Sequence, residues 1–222
     1  MIAEQLCKRG KKVVCVDEGM PNHPADYDNY DFPNFETERD QILNKWREFV
    51  VNADGDTTYV FNCIFLQNPM CETMIRFGMD QEESRKYIFE IAEIIRPMNP
   101  LILYIEQEDE KKTIEKVKKE RGNDWLDAVI DYHVNQGYGK NQALSGYEGY
   151  ITCLEERQIR EMGILKAKGL DALILSEVIT AEEFMNLFQS ACWCCPTIEQ
   201  IQTSLIIPQN LLYLDKRKSL LR

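Results

Sequence analysis

The chain lacks any apolar run long enough to span a bilayer. Its start, "MIAEQLCKRGKK", lacks the charged-then-apolar order of a secretory signal. It also lacks an excess of positive charge: the net charge is −11, which repels a phosphate backbone and argues against general nucleic-acid binding. A small phosphorylated ligand stays compatible, because a local basic cluster can override net charge. Histidine is scarce, with two in 222 residues, so imidazole-rich metal sites have little to draw on. The eight cysteines are scattered, without the framework of a small disulfide-bonded secreted protein. Cys15 and Cys63 fall in apolar, strand-like runs and are expected as reduced core residues. Internal repeats and low-complexity segments are absent too. These absences place the protein in the cytoplasm. What remains, 44% hydrophobic residues in a chain of this length, suits one ordinary domain with a real core.

Strand and helix signals alternate. "IAEQLCKRG" puts Ile2, Ala3 and Leu6 on one helical face, with Gly10 as a stop. Four short apolar runs, Val13–Asp17, Tyr59–Leu66, Leu101–Ile105 and Ala172–Leu175, read as strands covered on both faces. Between them, Ile42, Leu43, Trp46, Phe49 and Val50 make a helical stripe, and Asp80 with Glu83 makes a capping box for a later helix. "EKKTIEKVKKERG", "DWLDAVIDYHVNQGYG" and "YEGYITCLEERQIREMGILKAKG" are three more helices, and "TAEEFMNLFQSACWCC" a further one. Helices of this length between strands imply right-handed crossovers and a parallel sheet. Ligands of such sheets sit beyond the C-terminal strand ends, here "DEGMPNH", "LQNP", "EQED" and "SEV".

This order of elements resembles the P-loop nucleoside and nucleotide kinases of the thymidylate-kinase or deoxynucleoside-kinase type. "FLQNP", "NPLILY", "DWLDAVIDYHVNQGYG" and "GYEGYITCLEER" are more narrowly similar to a bacterial group of P-loop proteins. The likeness runs from about Ile2 to Glu177. It implies an α/β fold, a doubly wound parallel sheet with helices on both faces. The kinase-like domain would span residues 1–177, with a helical lid at about 107–168 and a C-terminal helix and tail at 178–222. Two departures stand out. No G-x-x-x-x-G-K-[ST] occurs, so the family's first strand and phosphate loop are expected to be missing, and neighbouring strand edges would be left unpaired. Gln67 and Asn68 also stand where the family carries Asp-Arg.

The resemblance implies ATP-dependent phosphoryl transfer to a nucleoside, nucleotide or other small hydroxyl compound, with ATP and Mg2+ as cofactors of the complete form. This chain alone is expected to be inactive. The alternative is a non-catalytic scaffold or partner-binding domain. In the kinase reading Glu18 is the general base and Arg121 a lid arginine. Asp17, His23, Asp26, Gln67 and Asn68 would meet substrate, and Arg157 the cofactor. Each has a plainer reading: Asp17 and Glu18 as solvated turn residues, Gln67-Asn68 as a turn before Pro69, and Arg121 with Lys118 and Lys119 as a solvated helix face. His23, Asp26 and Asp28 suit a metal chemically, but no second histidine lies near, so no dedicated metal site is expected. "GYGKNQ", Gly137 to Gln142, reads as a mobile lid loop. Cys192 and Cys195 have C-x-x-C spacing but no partner pair. Besides a small-molecule phosphate acceptor, a homodimer is a compatible assembly; nucleic acid and membrane are not expected partners.

Overall fold

The computed structural model describes residues 2–17, 20–26, 32–175 and 205–207. In chain order the elements are α1 (Ile2–Lys8), β1 (Lys12–Asp17), α2 (Phe35–Asn52), β2 (Thr57–Asn62), α3 (Gln67–Met70), a π-helical turn (Cys71–Arg76), α4 (Gln81–Ile95), a 3-10 turn (Arg96–Met98), β3 (Leu101–Ile105), α5 (Glu110–Arg121), α6 (Asn123–Val134), α7 (Gly137–Asn141), α8 (Gly146–Leu165), β4 (Ala172–Leu175) and β5 (Leu205–Ile207). The five strands form one sheet in the order β1-β2-β5-β3-β4, and every pairing is parallel. The chain therefore steps across the sheet from β1 to β4 and returns to the middle. There β5 sits between β2 and β3, with Leu205 opposite Val60 on one side and Leu101 on the other. The unpaired edges expected beside a missing central strand are thus closed, at least over three residues, by a segment near the end of the chain.

Strand side chains alternate between two apolar layers, as the period-2 pleat requires. Phe61, Ile102 and Tyr104 face a large core with Ile42, Leu43 and Trp46 of α2, Ile88 and Ile91 of α4, and Ile164 and Leu165 of α8. Val60, Leu103 and Leu175 face the other way, where Leu6 of α1 covers them. Full burial of side chains such as Trp46, Phe61 and Ile88 contributes about 1.5–3 kcal/mol each, so the first layer carries most of the packing energy. Local signals place the helices of that layer. Asn34 caps α2 by accepting from the Thr37 N–H at 3.0 Å, and Asp80 and Glu83 form a reciprocal capping box on α4.

Four expectations need correction. β1 is an edge strand, and Val14 and Cys15 are exposed rather than covered on both faces. The second strand ends at Asn62, because Cys63 adopts a left-handed backbone (φ 66°) that turns the chain, so Ile64, Phe65 and Leu66 are buried beyond the strand. Gln67 and Asn68 therefore open a helix and do not end a strand. "GYGKNQ" is no lid loop: its first five residues are α7, wedged against neighbouring backbone. A Cβ on Gly139 would lie 2.2 Å from the His133 carbonyl oxygen, and one on Gly137 2.1 Å from that of Ile75.

Candidate functional site

The parallel strands present their C-terminal ends along one edge of the sheet. There Asp17 and Asn62 lie opposite each other in register, and the Asn62 Nδ2 donates to Asp17 Oδ2 at 3.4 Å. By the alternation of the sheet both project to the side covered by α1. Glu18, expected as the general base, lies outside the described residues, as do Asp28 and the Cys192–Cys195 cluster.

The loop after β1 is tied down locally. The Asn22 N–H donates to Asp26 Oδ2 at 2.7 Å, the Ala25 N–H donates to His23 Nδ1 at 3.1 Å, and Lys45 holds the Asp26 carbonyl. His23 is buried and Ala25 belongs to the main core. His23 and Asp26, expected as substrate contacts, thus build a turn that plugs into the core through Ala25. Gln67 and Asn68, in α3, are half-buried. Arg121 ends α5, its guanidinium 5.3 Å from the Trp125 ring centre, about 16 Å along the axis from Glu110.

Beneath the same edge, on the α2/α4/α8 side, lies a seam of buried ionisable groups, most of which the sequence reading had not singled out. One end is formed by α2 and the π-helical turn. Arg76 Nη1 is 3.2 Å from Glu72 Oε2 and 3.8 Å from Glu38 Oε2, and its Nη2 donates to the Phe32 carbonyl at 2.8 Å. Glu38 is fully buried. Burial first, and then the neighbouring Glu72, push its carboxyl up to about 9, so the pair holds a proton near neutral pH. A π-helical turn is uncommon and recurs at functional sites.

The other end joins β3 to α8. The Tyr104 hydroxyl donates to Glu161 Oε2 at 2.8 Å, and Arg157 Nε lies 3.4 Å from Glu161 Oε1. Arg157 Nη1 reaches Cys71 Sγ at 3.9 Å, which links the two ends. Burial alone would push the Arg157 guanidinium down; Glu161, the Cys71 thiol and Glu110 override it, and it stays charged. Burial pushes Glu161 up, opposed by Arg157 and the Tyr104 hydroxyl. Arg157, expected to meet a cofactor, is instead held inside the protein. A sequence signal did exist: Glu38 is one turn before Ile42 on the buried face of α2, and Arg157 and Glu161 interrupt the buried series Tyr150, Leu154, Ile164 and Leu165 on α8. Charged residues on an apolar stripe are the mark of such a seam.

Fit to Mg–ATP can be judged from the donors. Arg76 and Arg157 face carboxylates, and Arg160 donates to Glu156 at 2.7 Å and to the Met79 carbonyl at 2.9 Å. Beyond β3 the edge is acidic, with Glu108, Asp109, Glu110 and Glu155 around one depression. These residues do not fit a triphosphate. Among the described residues no group of three His, Cys, Asp or Glu side chains could hold a metal ion, and no helix is long and apolar enough to cross a membrane. Comparison with known proteins matched no family model, no curated protein and no solved structure.

Proposed function

We propose that the chain is a cytoplasmic, nucleoside- and nucleotide-kinase-like α/β domain. Its complete form would transfer a phosphoryl group to a nucleoside, nucleotide or other small hydroxyl compound, and this chain alone would lack that activity; the alternative is a non-catalytic scaffold or partner-binding domain. The observation that supports the kinase-like part is the sheet: all-parallel pairings with a late strand inserted between β2 and β3, an arrangement whose ligands sit beyond the C-terminal strand ends. In this reading the acidic pair at the end of β1 serves the acceptor hydroxyl. The base we assign is Glu18, as the resemblance implies, with Asp17, which accepts from Asn62, meeting substrate.

The scaffold part rests on a second observation. The arginine assigned to the cofactor, Arg157, is buried against Glu161, and Arg121 is an α5 length away. Phosphate oxygens would meet carboxylates at this edge. Calorimetric titration of the whole chain with Mg–ATP at high protein concentration should give no micromolar binding. Micromolar affinity would overturn the scaffold reading and assign phosphate to residues outside the seam.

A further inference from the structure

The sheet ends on β1 and on β4, and the two edges are unlike. β4 is four residues long, and all of them are half-buried or buried. β1 is six residues long, and among the described residues its outer side pairs with no strand. Val14 is 40% exposed and Cys15 is exposed, although both belong to the run "VVCV", which has the composition of a covered strand. A free edge commonly carries a device against pairing: a proline, a bulge or a charge in mid-strand. Val13 to Val16 carry none of these, and the register with β2 runs unbroken from Lys12 to Asp17. The lysine within the strand, Lys12, is drawn back onto its own molecule by Asp54.

A second copy of the chain fits this edge by symmetry. A two-fold axis perpendicular to the sheet makes the two β1 strands antiparallel and keeps each face of the sheet on its own side. Opposed residues of an antiparallel pair point to the same face, so the axis has to pass between one residue and its own copy. With the axis at Val14, Val14 opposes the partner's Val14 and Val13 opposes the partner's Cys15, which covers the exposed apolar residues of the strand. Lys12 then opposes the partner's Val16, and exposed Lys11, one residue before β1, opposes the partner's Asp17. By the alternation of the strand Lys11 and Asp17 share the α1 side, so two symmetric ion pairs close the ends of the ladder. An axis at Cys15 would instead set Asp17 against the apolar Val13.

We propose that β1 is a dimerisation edge: two copies of the chain join antiparallel about Val14, and their two sheets become one continuous sheet. The second copy also reaches the candidate site. It sets its Lys11 beside the Asp17–Asn62 pair at the C-terminal end of β1 and so supplies a cation to that acidic strand end. The proposal stands apart from the phosphoryl-transfer reading, since it needs neither ATP nor Glu18.

Sedimentation velocity of the whole chain tests it, at physiological salt, where the repulsion between two chains of net charge −11 is screened beyond about 8 Å. Strand-edge pairing is a small interface, so a monomer–dimer equilibrium with a Kd on the order of 10 μM is expected. Val14→Lys sets two ammonium groups against each other at the axis and should leave a monomer with an unchanged far-UV circular dichroism spectrum. Lys11→Asp should weaken the dimer at least about tenfold, and adding Asp17→Lys should restore it, because the pair is then reversed rather than lost. Val14→Cys, oxidised, should give a dimer linked through position 14, since opposed Cα atoms lie about 4.5–5.5 Å apart, within disulfide reach. Cys15 should not link to its own copy, because the two are out of register at more than about 8 Å. Should Val14→Lys fail to fold, the exchange of Lys11 and Asp17 decides. A chain that stays monomeric at ten times the expected Kd would overturn the proposal and give the edge to a segment of the same molecule. A dimer unmoved by Val14→Lys, a charge exchange that restores nothing, or a bond between Cys15 and its copy would overturn it as well.

Discussion

The two ends of the buried seam solve the same electrostatic problem differently. At one end Glu161 faces an arginine at 3.4 Å and a tyrosine hydroxyl at 2.8 Å. At the other Glu38 faces a second carboxylate, and the nearest arginine atom is 3.8 Å away and closer to Glu72. Both acids are nearly or wholly removed from water. The first end keeps opposite charges together and the second keeps a proton. Burial alone therefore does not tell whether an acid is ionised; its nearest partner does.

The comparison breaks most visibly at Arg157. Arg157→Met keeps the volume of the stem and removes the charge that Glu161 depends on. An unpaired carboxylate is then left in the interior, and the expected loss is about 3–5 kcal/mol, read as a lower urea midpoint. Adding Glu161→Gln should recover part of that loss, because the orphaned charge goes with it. Additive losses in the double variant would mean that the two residues do not act as a pair.

The other end should respond in the opposite sense. Glu38 is raised in the folded protein to about 9 from an ordinary carboxyl value of 4.5. The stability that its proton supplies is complete below about 4.5 and is lost as pH rises through about 9, with a slope of up to about 1.4 kcal/mol per pH unit. Glu38→Gln keeps the shape and cannot ionise. It should flatten the alkaline decline and match or exceed the parent in stability at pH 8. Parallel pH–stability curves for parent and variant would remove the shared-proton account.

How far the sequence reveals these features depends on the kind of signal. β3 and β4 have the expected bounds because Asn99-Pro100 and Gly169 punctuate their apolar runs. β2 was drawn too long: "CIFL" continues the apolar run, and nothing local marks Cys63 as left-handed. β5 was not read at all. Three residues ahead of Pro208 carry no period, and their place between β2 and β3 is a tertiary fact. The seam escaped because charged residues are read as solvated by default, although the spacing of Glu38, Arg157 and Glu161 on buried helix faces was there to be seen.

A smaller effect isolates the hydroxyl at the ion-paired end. Tyr104→Phe removes one donor to Glu161 and leaves Arg157 in place, so the expected cost is about 1–2 kcal/mol. It should shrink sharply in a Glu161→Leu background, where there is no carboxylate to satisfy. A similar loss in both backgrounds would place the cost in packing of the ring.

The smallest expected effect is a near-zero slope, and it comes from His133. This histidine is buried against Tyr150, its ring 4.8 Å away, and its Nδ1 lies 2.7 Å from the Val129 carbonyl. Burial, helped by nearby Arg157 and opposed by the bond to Val129, lowers it to about 4 from 6.5. The neutral ring is the folded form. Its contribution is present above about 6.5 and is lost as pH falls through about 4, the reverse of Glu38. Between about 4.5 and 6.5 the two slopes oppose, so parent stability should change little there and decline above. Glu110 and Glu161, also pushed up by burial, are common to the parent and both variants and do not distinguish them. His133→Gln removes the opposing member: stability should then fall steadily from about pH 4.5 upward, and the optimum should move to the acid side. The check is a series of urea midpoints at half-unit steps for parent, Glu38→Gln and His133→Gln. If His133→Gln keeps the parent's flat region, the balance between histidine and shared proton is not what sets it, and the flatness belongs to the ion-paired end instead.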